Sequence, residues 1–337
     1  MVAADMKTYE WETKYGILQY AIMNDENTDV DTAYRGISGK EVMLTGYKGK
    51  DIDLTIPDEL SGLPVTTVGK KTFLGAKNLR SISLPVHLVR IQEWAFASCT
   101  NLETVFLPGR KIDAGQGIFK DCMGLQRVVP TAADTSLNAE KAFEPTVMGR
   151  QDPEGTVSYL LAAAVNKLDA FYLFDPAAAG SSEWFKQWDA RMLTLMGQAD
   201  EEGFSKMLLC GEEDYGSREN NLDYYVEQRR RFKVRLAMLR LMYDAALPAE
   251  IKKELLCYLQ AHKKGADSEE TWKVVLEEHG DERTYYQFLL DYDCIDRDNF
   301  DAVLSDMGDR HTEMKAFLMN CRDKWADESD AFGALEL

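Results

Sequence analysis

Several clusters in this chain have side chains of the types that chemistry requires. Cys210-Gly-Glu-Glu-Asp214 joins a thiol to three acids on an expected loop. A soft thiolate and hard carboxylates suit different metals, so the segment reads first as a loop whose acids cap helices. A catalytic or regulatory site there is the alternative. Asp291, Asp293 and Asp296 suggest a calcium loop, but the glycine of its sharp turn and its closing glutamate are misplaced, which assigns these acids to helix capping. The string GLPVTTVGKKT from Gly62 has the outline of a phosphate loop, yet six residues separate Gly62 from Gly69, more than that loop allows. Gly115-Gln-Gly117 lacks a third glycine and reads as a turn. His87, His262, His279 and His311 share no metal-ligand spacing, and Gly36-Ile-Ser38-Gly39 is one residue short of a nucleophile elbow.

Two further groups are reactive by type. Arg229-Arg-Arg231-Phe-Lys233-Val-Arg235 could hold phosphate or an acidic partner; on an amphipathic helix among so many acids it is expected to pair within the protein. Cys99 and Cys122 fall at equivalent places in a repeat, where side chains point the same way, so buried thiols are expected there rather than a disulfide.

The elements that must position these groups follow from the rest of the 337 residues, of which 45% are hydrophobic and only nine are proline. That suffices for two ordinary domains with real cores. The six cysteines have no CxxC spacing, and the start MVAADMKTYEWETKYG carries acids where a secretory signal needs a basic stretch and an apolar run. A reducing compartment, most simply a cytoplasm, is the expectation. No stretch approaches the roughly 18 apolar residues of a membrane span.

A repeat occupies the first half. Phe73, Phe96 and Phe119 are 23 residues apart, and each opens the same chemistry: Ala76, Cys99, Cys122; then Leu79, Leu102, Leu125; then Ile82, Val105, Val128; then a closing Pro85, Pro108 or Pro130. A degenerate unit precedes them from Glu41, which makes about four coils. Such a period with L-x-x-I/V-x-L segments predicts a solenoid in which each unit adds one strand to a parallel sheet. Alternation sends Leu79, Ile82 and Leu84 inward. The outward positions form two columns: Asp53, Ser81, Thr104 and Arg127, beside Thr55, Ser83, Phe106 and Val129. Phe106 and Val129 are apolar where nothing inside requires it, so this face is the candidate partner-binding surface. Cover by the N-terminal segment or by the helices is the alternative.

The strings TIPDELSGLPVTTVGKKTFLGAKNLRSISLP and IQEWAFASCTNLETVFLP resemble the BspA-type leucine-rich repeat family over about residues 40–130. The departures are Ala76 for the usual cysteine and a disturbed stretch from Arg110. The resemblance implies a bacterial interaction module without catalytic residues; many members are secreted, and the expectation here carries over interaction but not adhesion.

From about residue 150 the apolar period becomes helical. Phe300, Val303, Leu304 and Met307 make one stripe and Met314, Phe317, Leu318 and Cys321 another, joined by Gly308-Asp309-Arg310. Pro248 suits a first helical position, His262-Lys-Lys-Gly265 a helix end, and Asp267 with Glu270 a capping box. The segment TYYQFLLDYDCIDRDNFDAVLSDMGDRHTEMKAFLMNC is similar to ankyrin-like helix pairs.

The expected fold class is therefore α+β in two parts, a short leucine-rich-repeat β-solenoid followed by an all-α helical-hairpin domain. The expected divisions are an N-terminal cap over residues 1–40, repeats over 41–145 and an acidic helical domain over 146–337. Net charge is −18 overall, but residues 47–130 carry eleven Lys plus Arg against eight Asp plus Glu, so the acidity lies elsewhere. For the helical half this charge excludes nucleic acid and anionic surfaces as partners, and for the repeats it is only a weak argument against them; with no long apolar run no membrane insertion is expected, no cofactor is implied, and the expected role is non-catalytic protein binding.

Overall fold

The computed structural model describes residues 7–23, 39–131, 153–210 and 221–333. By contact the chain divides into two compact units, Met1–Leu193 and Thr194–Leu337.

In the first unit the expected solenoid forms, with each coil contributing to two sheets. One sheet begins with β1 (Thr8–Glu12), β2 (Gly16–Met23) and β3 (Glu41–Gly49), paired antiparallel. The other holds the strands read from the repeat: β4 (Asp53–Thr55), β7 (Ser81–Ser83), β9 (Thr104–Pro108) and β11 (Arg127–Thr131), all parallel. Between β4 and β7 the chain makes β5 (Glu59–Leu60) and β6 (Leu63–Val68). From β6 the first sheet continues in parallel through β8 (Arg90–Ile91) to β10 (Asp113–Ala114).

The 23-residue period is the register itself. Thr67 pairs Arg90, Arg90 pairs Asp113, Ser81 pairs Thr104, and Thr104 pairs Arg127. The first step is longer, Asp53 to Ser81. Its five extra residues are absorbed by the β5–β6 hairpin, whose two-residue loop holds Ser61 at φ 55 and Gly62 at φ 70. Positive φ at both positions is what a tight hairpin of right-handed strands demands. Gly69 acts differently: a Cβ there would lie 2.4 Å from the Leu44 carbonyl oxygen, so only glycine permits the coils to approach.

Inside, Phe73, Phe96 and Phe119 stack as a ladder, with centroids 5.1 Å apart at the first step and 5.4 Å at the second. Tyr47 continues the ladder at one end (5.4 Å) and Phe174 closes it edge-on at the other (5.9 Å). The leucine and β-branched positions of every coil are buried with them. Ion pairs Lys70–Glu93, Arg80–Glu103 and Arg90–Asp113 repeat the same step outside. Being mostly exposed, such pairs mark the register more than they stabilise it.

Helix α1 (Pro153–Asn166) packs on β11, where Asn166 Nδ2 donates to the Leu125 carbonyl at 2.7 Å. Its segment Leu160–Ala164 is buried throughout, which accounts for a helix apolar on more than one face. A 3-10 turn (Phe171–Leu173) leads to α2 (Ser182–Met196), held by Trp184 Nε1 on the Leu173 carbonyl and Trp188 Nε1 on the Leu160 carbonyl, both at 2.9 Å. The periodicity changes near residue 150, but these contacts tie residues 153–193 to the unit of the repeats.

The second unit is helical: α3 (Phe204–Cys210), α4 (Leu222–Met242), α5 (Ala249–Ala261), α6 (Glu270–Glu278), α7 (Arg283–Asp291), α8 (Phe300–Met307) and α9 (Thr312–Gly333). The two stripes read from the sequence fall on α8 and α9, with Phe300, Val303, Met307, Met314 and Leu318 buried and Gly308 in the left-handed region between them. Two local readings are corrected. Pro248 stands one residue before the helix, as its cap. The Asp267–Glu270 box does not form; Glu269 accepts the Gly265 N–H at 2.9 Å and Lys264 Nζ at 3.0 Å, while Glu270 is buried.

Cutting the ladder at its middle is the sharpest test of this fold. Phe96→Ala is expected to lower stability by about 3–5 kcal/mol. Denaturant unfolding followed by circular dichroism measures it.

Candidate functional site

The two outward columns of the strand face stand in the expected register. Their exposure is graded. Asp53 and Thr55 are open to solvent, and Ser83, Thr104, Arg127 and Val129 are half-buried. Ser81 is 7% exposed and donates its hydroxyl to Asp53 Oδ1 at 2.7 Å. The Arg127 guanidinium lies 5.7 Å from the Tyr159 ring centroid of α1. Phe106 is only 5% exposed. It is therefore not the exposed apolar contact that its outward position suggested; the face is covered at that rung, and its open part is polar.

The buried cysteine column has a defined use. Cys99 Sγ donates to the Phe73 carbonyl and Cys122 Sγ to the Phe96 carbonyl, each at 3.0 Å, so the thiols bind one coil to the next. Both are free rather than bridged. The Cys99 neighbour and burial push the Cys122 thiol up, away from the reactive thiolate.

The opposite, turn-bearing side of the coils carries a cleft of about 600 Å³ that sequence reasoning missed. Trp94 forms one wall, the Phe119 coil supplies the floor through Phe119 and Cys122, and the end of α1 forms the other wall through Val165 and Asn166. Trp94 has φ +57; the positions one coil before and after are Lys71 at φ 60 and Gly117 at φ 63. A second left-handed column follows at Gly75, Ser98 and Asp121. Each non-glycine there costs on the order of 1–2 kcal/mol of backbone strain. A tryptophan at a variable position of the repeat, between Gln92 and Ala95, was the available signal.

In the second unit the basic run of α4 pairs internally. Arg230 and Lys233 both bind Asp200 (2.8 and 2.7 Å), Arg231 binds Glu277 (2.7 Å), and Arg235 binds Glu278 (2.6 Å). Burial works against the Asp200 carboxylate, but hydrogen bonds from Lys233 and Arg230 outweigh it and hold the group below its ordinary range. Asp296 accepts the Asp298 and Asn299 N–H groups and pairs with Lys263, so it orders the turn before α8 rather than capping the helix as expected; the cap position is Asn299. Asp291 accepts from Gln287 instead. Among the described residues no cluster of His, Cys, Asp and Glu is arranged to hold a metal, and no helix is long and apolar enough to cross a membrane. Of Cys210–Asp214, residues 211–214 lie outside the described residues.

The family model described as "BspA type Leucine rich repeat region" matches residues 53–148 in six copies. Residues 53–148 are a BspA-type leucine-rich repeat region. A crystal structure of a leucine rich cell surface protein from Faecalibacterium prausnitzii is similar at 23% identity, over 38% of this chain and 31% of that one, with a TM-score of 0.28. The leucine rich repeat protein of T. pallidum is similar at 24% identity, over 36% of this chain and 71% of that one, with a TM-score of 0.22. This chain thus spans less than a third of the length of the Faecalibacterium protein. No curated protein matches it.

Two outcomes follow. Phe106→Asp in the BspA-type region is expected to destabilise the first unit by more than about 2 kcal/mol, because it buries a carboxylate without a partner; thermal unfolding measures this, and an unchanged midpoint would show the face to be open. Asp200→Asn is expected to cost about 3 kcal/mol at pH 7 by leaving two mostly buried cations underpaired. Since the folded carboxylate titrates below its unfolded value of about 3.9, its stabilisation is present above that pH and is lost as pH falls through the folded value. The gap between wild type and Asp200→Asn should accordingly close in acid, as urea titrations across pH would record.

Proposed function

We propose that the BspA-type region is a non-catalytic protein-binding module that works through the open part of its strand face. Asp53, Thr55, Ser83, Thr104, Arg127 and Val129 are its contact positions. The observation that carries this reading is the register: parallel pairing brings side chains far apart in sequence side by side, at the strand spacing of about 4.8 Å. A partner strand or loop can then be read by two columns at once. Such a surface is set mainly by backbone pairing, which leaves most of its side chains to serve recognition; Asp53 and Arg127 also make contacts within the protein. The repeat family supports an interaction or surface-protein role, and the partner is a protein rather than nucleic acid or a membrane interior.

Affinity capture tests it, with Thr104→Arg/Val129→Glu as the altered bait and Lys253→Glu, on exposed α5, as the control. Partners kept by wild type and control but reduced about tenfold with the double variant support the face, a loss of about 1.4 kcal/mol. Equal recovery with all three baits overturns it.

A further inference from the structure

Of the outward positions on the strand face, Asp53 and Arg127 are the charged ones, at opposite ends of one column. Three cations of the coils each meet an acid 23 residues on: Lys70 meets Glu93, Arg80 meets Glu103 and Arg90 meets Asp113. The residue 23 on from Arg127 is another arginine, Arg150. Among the described residues the Arg127 guanidinium makes no ion pair or hydrogen bond. Its Nε is buried without a partner, and its neighbour is the Tyr159 ring of α1, with the centroid 5.7 Å away.

A cation partly withdrawn from water with no counter-ion is unfavourable, and a carboxylate seated on its planar fork would relieve it. The surroundings suit such a guest. Arg127 is half-buried, so its terminal nitrogens stay within reach, and the Tyr159 contact restricts where they point. Thr104 pairs directly beside it and Val129 follows on the same side of the strand, a hydroxyl and an apolar wall. One guanidinium balances one carboxylate. A phosphate, at about −1.5 to −2 charge, would exceed it on a face that also holds Asp53. Asp53 lies three strands away, about 14 Å at about 4.8 Å per strand. An extended segment crossing the strands covers that distance in about four residues, at about 3.3 Å each.

Given a strand face that binds protein, we infer that its partner presents an extended segment with an Asp or Glu side chain seated on Arg127 and a Lys or Arg, about four residues away, facing Asp53.

A display library of random peptides, panned on the full chain and followed by fluorescence anisotropy on synthetic forms of the best binders, tests this. Peptides that Thr104→Arg/Val129→Glu rejects should contain an Asp or Glu whose amide replacement weakens binding about tenfold, a loss that shrinks below about twofold on Arg127→Met. Methionine places a methyl group where the unpartnered Nε stands, so thermal melting should be unimpaired, and Arg127→Lys should keep part of the affinity that Arg127→Met loses. The Lys or Arg about four residues from that acid should couple to Asp53→Asn in the same manner. Face-dependent binders that lack this acid or its spaced base overturn the inference, as does an acid whose loss costs as much on Arg127→Met, or a phosphopeptide that outbinds its glutamate form. Self-association of the chain that Arg127→Met abolishes would seat a second copy there and overturn it as well. If every binder treats Thr104→Arg/Val129→Glu like wild type, or none is recovered, the strand-face function falls and the inference with it.

Discussion

One constraint governs the first unit: each coil must reproduce the one beneath it. Strand pairing in two sheets, the phenylalanine stack, the cysteine-to-carbonyl bonds and the outer ion pairs all link a residue to its counterpart or near-counterpart in the adjacent coil. No single one of these is strong. Together they act along the whole length of the solenoid, because a shift in any would displace the others. A stack built this way has two raw ends, and the chain finishes both. Tyr47 and the antiparallel hairpin complete the start, while α1 and Phe174 complete the finish. An uncovered parallel edge would invite pairing with another chain.

What the amino-acid sequence revealed follows from how each feature is encoded. The coils were legible because translation leaves a record at fixed spacing, and the same record gave the two outward columns. The burial of Phe106 was not legible, since alternation along a strand tells which way a side chain points and not whether it is covered. Trp94 was missed for another reason: lysine, tryptophan and glycine all take the same left-handed turn here, so residue type did not announce the backbone. The change of periodicity near 150 was visible, but the indole bonds of Trp184 and Trp188 that place α1 and α2 with the first unit were not. Helix caps showed the limit of local motifs. Glu269 and Glu270 are adjacent acids, and only packing decides which one binds Gly265 and Lys264 and which is buried.

In the helical unit, acidity and the arginine run of α4 are parts of one arrangement. The cations serve acids brought from other segments, Asp200, Glu277 and Glu278, rather than a ligand. A long basic helix within an acidic protein therefore acts as an internal tie. Its charge is spent on order, most of all at Lys233, which is buried and would be stranded without Asp200.

The β5–β6 hairpin shows how such a chain can change length. Between Phe73 and Phe119 an insertion of arbitrary size would throw every later rung out of phase, so growth there is confined to whole repeats. At Ser61–Gly62 five surplus residues leave the stack undisturbed, because they close as a hairpin, which the Ser61 hydroxyl ties to Tyr20 of β2. That tip is where the lineage could vary freely, or where a tag or foreign peptide could be grafted, without altering the count of coils.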